Sequence, residues 1–571
     1  MPKVKETMAL SRKKKITLVM ALANSILNKL HFKERINESI KWDKSQWGIS
    51  PGGLAKALVL STFTDMRAPL SHTQDRLYGM DMTYLLGEDA DAQGINEFNT
   101  GRALERIGES DYESIYENLA LSAVTTYNIP VTRLHSDTTT ISFYGEYDVN
   151  DMKLTPEEQE ELIQIEKGYN KDGRPDSKQL IAGQIITDNG IPIVNRVLNG
   201  ATSDADWNKE ALSYLEEIRK KGFCQGIYVA DSKLVFEEAV IKMCRKETRI
   251  DFVSRCPASF SDKLEERIIN RAYRDEAWED LGQISNAKTA GSYRGISYHE
   301  YMYGEMMRLV VLESSVLAEK AEESIEKKKT KLTPIIKDLE KKTFVCRADA
   351  EKEYARFIKQ KALQLFECTP EITEQVTEKW PRGRRSATAQ PTVTSSWKVK
   401  IIELKRNIEA CSKHIRKESC YVLISNIADE TVTARTLLEI YKGQHVVENS
   451  FRQLKGPNLA SVIYLKNPYR ICGLTTLFSF ALLVRALIQH RLRDGLCNHK
   501  AVYPDEPIMS GWGGKVLTNP TFKLFYEHSF NCYYEQDETG EYNFVWPFVE
   551  TRQIVEPLLK LMGESVASLL L

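Results

Sequence analysis

Apolar residues recur at three- and four-residue spacing in LAKALVLSTFTDMRAPLS, residues 54–71, and again across residues 98–129. That spacing predicts helices over most of residues 1–128. Beyond Pro130 the pattern shortens into apolar runs, VTRLHSD and then LIAGQIITDNGIPIVNRVL, with Asp188-Asn189-Gly190 marking a hairpin between two strands. A helical stretch over about 204–221 follows, then the strand-like GIYVADSKL, the helical VFEEAVIKMCRK and the strand-like IDFVSRCP. Strand, hairpin, helix, strand, helix, strand predicts a mixed α/β sheet.

Residues 258–418 break this rhythm and read as an insertion. YHEYMYGEMMRLVVLESS predicts strands. Residues 318–342 and 349–366 predict two long charged helices, the first interrupted near Pro334. KWPRGRRSATAQPTVTSS, from residue 379, predicts an exposed basic loop. The α/β pattern returns at SCYVLISN, and a helix follows from about Thr431. The predicted organisation is a helical segment 1–128, an α/β core in two parts, 129–257 and 419–495, the insertion 258–418 between them, and a C-terminal region 496–571 ending in a helix near 553–570.

Composition changes this picture little. The 571 residues are 42% hydrophobic and 27% charged, with a formal net charge of -1, as in a soluble multidomain protein without a global basic excess. The first 44 residues are locally basic, with Arg12-Lys13-Lys14-Lys15 and only four acids. Such a start reads either as a solvated tail or as a DNA-contacting arm. Ten cysteines lack CxxC pairs or zinc spacing and read as reduced thiols of a cytosolic protein. ICGLTTLFSFALLVRALIQH, residues 471–490, is interrupted by Arg485 and reads as a core helix rather than a membrane span.

Three acids carry the candidate chemistry. Asp137 stands at or just after the first strand, Asp231 ends a central strand, and Glu448 lies in YKGQHVVENSFRQLK, residues 441–455. Wound as one helix, Tyr441, Gln444, Glu448 and Lys455 fall within roughly 60° of one another, with Arg452 beside them. The same segment also reads as a surface helix with charge pairs such as Glu448–Arg452. If the strands are neighbours, the carboxylates converge. Three hard oxygen ligands suit two Mg²⁺ ions about 4 Å apart, the arrangement that serves phosphodiester displacement.

The ordered motifs resemble the DDE transposases of bacterial and archaeal insertion sequences, in the branch with the signature Y-(2)-R-(3)-E-(6)-K. Tyr441, Gln444, Glu448 and Lys455 match its spacing, with Gln in the Arg position. HSDTTT, GYNKDGRPDSKQLIAGQIITDNGIPI, NGATSD, YVADSKL, FVSRCP and YVLISN through NPYRICGL extend the resemblance over about residues 130–495. It implies an RNase H-like catalytic core, a mixed five-stranded sheet with helices, preceded by a helical DNA-binding domain and interrupted by an insertion. It implies that Asp137, Asp231 and Glu448 bind two Mg²⁺ ions, with Mn²⁺ as a possible substitute, and that Tyr441 and Lys455 hold DNA phosphates. Gln444 lacks the charge of the usual Arg, which Arg452, one turn beyond Glu448, would supply. The implied partners are double-stranded DNA, as terminal inverted repeats and target, and a second copy in a synaptic homodimer. The implied location is the prokaryotic cytoplasm, at the nucleoid.

Further residues read two ways. Arg382, Arg384 and Arg385, with Lys379 and Trp380, suit DNA backbone contact and base stacking, or solvation. Lys171, Arg174 and Lys178 suit DNA contact or solvent. Thr138 to Thr140 either orient Asp137 or simply form strand. A catalytically silent DNA-binding descendant and an RNase H-like nuclease are the alternatives to an active transposase.

Overall fold

The computed structural model describes residues 14–64, 72–145, 147, 162–223, 226–257, 260, 263–284, 291–380, 390–456, 459, 463, 465–509 and 515–570. The fold is mixed α/β. It divides into two compact units, Met1–Phe252 with Ile440–Leu571, and Val253–Glu439.

In the first unit, strand β1 (Arg133–Phe143) is flanked by β2 (Lys178–Thr187) and β4 (Ile227–Ala230), and β2 carries β3 (Pro192–Leu198) on its far side. β1–β2 and β2–β3 are antiparallel, while β1–β4 is parallel. Among the described residues, four strands of this sheet lie whole in this unit, beside a separate three-stranded sheet. Both faces of β1 and β2 are largely buried, so β2 reads as a nearly continuous apolar run while β1 buries Ser and Thr side chains among its few apolar ones. β1 also runs six residues past Asp137, so that acid sits mid-strand rather than at a strand end. The β-branched Thr138, Thr139, Thr140 and Ile141 carry the ladder onward against β2.

Helix α1 (Asp204–Lys220) starts at a capping box in which the Ser203 side chain accepts from Asp206 N and Asp206 reaches back. It docks through buried Trp207, whose Nε1 donates to Ser136 Oγ at 2.9 Å. The indole lies so close to Gly183 on β2 that a Cβ there would meet the ring at 2.6 Å. The residues expected to form one helix from 441 to 455 form two: α2 (Ala434–Lys442) and α3 (His445–Leu454), separated by Gly443 and Gln444. Gly443 backs onto the fully buried His135 ring, where a Cβ would come within 2.7 Å of Cε1. A continuous helix would drive side chains into that ring.

Helix α4 (Pro468–Val502) is 35 residues long and supplies much of this unit's core. It is long and apolar enough to cross a membrane, yet 94% of its most apolar window is buried inside the protein. Arg485 is accommodated there by donating to Thr62 O at 2.8 Å and lying between the Phe63 and Phe522 rings. The helical reading of the N-terminal segment misses one short strand, Lys15–Thr17, which pairs with Tyr533–Gln536 near the C-terminus. The terminal helix is Val549–Leu561, ending short of the residues predicted.

The second unit holds β5 (Phe252–Arg255), β6 (Glu279–Ile284), β7 (Gly291–Met302), β8 (Glu305–Ser314), β9 (Phe366–Lys379), β10 (Thr392–Arg406) and β11 (Cys420–Ser425). β5, β11, β8, β7 and β6 neighbour one another in that order, all antiparallel. β9 and β10 form a separate two-stranded ribbon. The helix Ser315–Lys341 runs unbroken through Pro334, contrary to the predicted interruption. Its stripe of Ile325, Leu332 and Leu339 shares a core with Val399 of the ribbon and Phe357, so packing outweighs the proline's cost of about 3 kcal/mol. The second predicted helix is only Arg347–Phe357, because the chain turns and enters β9 at Phe366. Part of the predicted basic loop is strand, since β10 begins at Thr392. Arg382, Arg384 and Arg385 lie outside the described residues; Trp380 beside them is exposed.

Candidate functional site

Strand register brings the first two acids together. His135 of β1 pairs with Val229 of β4 in parallel. Two residues further along the chain from each stand Asp137, still within β1, and Asp231, just past the end of β4, near enough for the charge of Asp137 to act on Asp231. Asp231 caps the turn Ser232–Leu234 by accepting from Lys233 N at 3.1 Å, and it accepts from Asn208 Nδ2 at 3.3 Å. Asp137 accepts from Thr138 N at 2.7 Å. Burial, then the like charges of Asp204 and Asp137, push the Asp231 carboxyl above its ordinary range. Burial also pushes Asp137 up, against the pull of Lys171.

A third carboxylate joins them, and it is Asp204 at the start of α1. Its Oδ1 accepts from Thr138 Oγ1 at 2.5 Å and lies 2.8 Å from Lys171 Nζ. Lys171 Nζ also reaches Thr138 O at 2.9 Å, Thr138 Oγ1 at 2.7 Å and Asp137 Oδ1 at 3.4 Å. Burial alone would lower the Lys171 ammonium's pKa, but the carboxylates around it raise it instead. Of the residues that read two ways, Lys171 therefore faces the acids and Thr138 binds both neighbours. Arg174 lies instead over the Tyr144 ring, and Lys178 reaches the Tyr147 carbonyl.

Helix α3 lies over the same strands. Gln444 Nε2 donates to Ser136 O at 2.7 Å, and its Oε1 is 3.4 Å from His135 Nδ1. Ser450 Oγ donates to Gln184 Oε1 at 2.8 Å, and Gln184 is the register partner of Asp137. Glu448 sits between these two anchors with an exposed side chain. The amide of Gln444 is thus engaged with β1. Arg452 is exposed and donates to Asn449 Oδ1 at 2.8 Å rather than to Glu448. Lys455, just past α3, pairs with both Asp172 oxygens at 2.7 and 2.9 Å. Tyr441 is half-buried near the end of α2. His135 is a packed core histidine whose burial depresses its pKa to about 4.

The donor chemistry fits a hard divalent cation beside Asp137 and Asp231, where the charge of Asp137 helps raise Asp231 and that of Asp204 helps raise Asp137. Among the described residues, however, no three His, Cys, Asp or Glu side chains are grouped to hold a metal. Glu448 is near these strands without being drawn into such a group. Asp204 and Asn208 escaped the sequence reading, although Asp204 stands inside one of the quoted motifs, and Lys171 was read as a DNA or solvent contact rather than as a partner of the acids. Nothing in their local pattern separates them from solvated charges.

Residues 13–121 match the family described as a domain of unknown function, DUF4277. No curated protein matches the sequence. Among solved structures, the piggyBac transposase synaptic complex with hairpin DNA aligns over 96% of this chain and 83% of its own, at 9% identity. The TM-score of that alignment is 0.36, too distant to assign a shared fold.

Proposed function

We propose that the chain is a DNA transposase of an insertion sequence. In this reading it binds terminal inverted repeats, cuts DNA at the element's ends and joins the freed 3′-OH to target DNA. The observation that carries it is Asp137 on β1 beside Asp231 at the end of the parallel neighbour β4, with the Glu448 helix anchored to β1 and β2. Three antiparallel strands with a fourth parallel to the first also support an RNase H-like core. Asp137 and Asp231, with Glu448 as third acid, would hold Mg²⁺, or Mn²⁺ in its place. When bound, the ions supply charge stabilisation to the attacking and leaving oxygens of phosphodiester transfer. The protein's own part is to orient: Asn208 and Lys233 fix Asp231, Thr138 fixes Asp137, and Gln444 and Ser450 fix the helix. Lys455 and Tyr441 would contact DNA phosphates, with Arg452 and the basic segment around Arg382, Arg384 and Arg385 as further DNA contacts. The working form would be a synaptic homodimer at the nucleoid.

Asp137→Ala is expected to abolish end cleavage while leaving binding to end-bearing DNA intact, measured on labelled duplex by gel shift and cleavage. Loss of both would mean that Asp137 supports the fold rather than the chemistry. The second reading, a catalytically silent DNA-binding protein, is favoured by the exposed Glu448 and by the lack of a three-ligand group among the described residues. DNA binding without cutting by the native chain would establish it.

A further inference from the structure

The turn after β1 places two opposite charges side by side, each against a functional residue. Asn170 builds the turn: its Oδ1 accepts from Asp172 N at 2.9 Å and Arg174 N at 3.3 Å, and its Nδ2 donates to Ser142 Oγ at 3.1 Å. Lys171 N donates to Thr140 Oγ1 at 3.1 Å, so the turn is tied to β1 at two points. Lys171 then faces Asp137, while its neighbour Asp172 faces Lys455.

An ammonium has three N–H donors. Those of Lys171 are matched by Thr138 O, Thr138 Oγ1 and Asp204 Oδ1, at 2.7–2.9 Å. Asp137 at 3.4 Å is the fourth and longest contact, held chiefly by charge. Asp137 can therefore turn to another cation without uprooting Lys171. Lys455 differs, because both of its short contacts go to the Asp172 carboxylate, an oxyanion much like a phosphate.

We propose that Lys171 and Asp172 are built-in stand-ins, the ammonium for a divalent cation at Asp137 and the carboxylate for a DNA phosphate at Lys455. They offset part of the site's charge and keep it ordered when neither ligand is present. Each ligand takes its partner from the stand-in, Asp137 by turning away from Lys171 and Lys455 by releasing Asp172, so the pair sets the affinity for both. This rests on the transposase reading and concerns residues that the reading leaves without a role.

The test uses the full-length chain with Mg²⁺ and Mn²⁺ alone in calorimetry, and a short labelled DNA duplex without metal. Lys171→Gln should bind metal at least tenfold more tightly than the native chain. It should also melt at lower temperature in metal-free buffer, with the loss recovered on adding Mg²⁺. Lys171→Arg, which keeps the charge, should retain native metal affinity. Asp172→Asn should bind DNA several-fold more tightly with metal affinity unchanged. Unchanged or weaker metal binding by Lys171→Gln, or unchanged DNA binding by Asp172→Asn, would overturn the proposal while leaving the transposase reading standing. A native chain and variants that bind neither metal nor DNA would overturn both.

Discussion

Arg196 on β3 is buried and shared by two carboxylates of the helix Tyr112–Thr126: Nε lies 2.9 Å from Glu113 Oε2, and Nη2 bonds Glu117. One cation cannot neutralise two acids. Burial, and then Glu117 working against Arg196, raise the Glu113 carboxyl from 4.5 to about 7. A raised folded pKa means that the protonated form is favoured in the fold. The stability it contributes is fully present below the unfolded value of 4.5 and is lost as pH rises through about 7. Glu113 is 32% exposed, so water blunts the effect to about 1 kcal/mol. Denaturant midpoints should fall between slightly acid and slightly alkaline pH in the native chain, and this loss should shrink in Glu113→Gln. At this scale the sequence was only partly readable. Asp137 and Asp231 stand out because acids are rare in strands. Lys171 does not, because it meets Asp137 from 34 residues away, across a turn whose course no local pattern fixes.

Among the elements, the break between α2 and α3 is the feature that sets how α3, the helix of Glu448, leaves α2. Gly443 makes it possible by admitting the His135 ring against the backbone. Gly443→Ala should force that buried ring or the helix to shift, costing about 1–3 kcal/mol by overpacking. A thermal melt would show a lower midpoint, and end cleavage would fall because α3 carries the third acid. A midpoint equal to the native one would mean that the joint is looser than its contacts indicate. The strands β1 to β4 were legible because their apolar runs are bounded by Pro130, by Asp188-Asn189-Gly190 and by helix signals. The β9–β10 ribbon was not. Its outer half is exposed on both strands, so its alternation of Thr, Val and charge carries no apolar face to mark it. Pro334 misled for the opposite reason, since the helix around it is held by packing along a long stripe rather than by its own hydrogen bonds.

For the whole molecule, the long apolar segment shows how one composition serves two fates. Residues 471–490 are as apolar as a membrane span, yet α4 spends them on the interior of the first unit, where Arg485 finds a carbonyl and two aromatic rings. The site too is a property of the assembled unit. Asp137 and Asp231 come from β1 and the end of β4, and the residues set against them come from α1 and the turn at 170–174. Sequence motifs drew attention to Asp137 and Asp231, whereas only the fold shows that Asp204 and Lys171 face them and that Gln444 bonds Ser136 of β1. The central claim is that Glu448 completes this set for metal-dependent DNA cleavage. It is tested most directly by incubating labelled DNA carrying the ends that flank this gene with the native chain and with Glu448→Gln, with and without Mg²⁺. The account predicts Mg²⁺-dependent cuts at the repeat ends by the native chain, and binding without cuts by the variant. Cutting that survives in Glu448→Gln would contradict it.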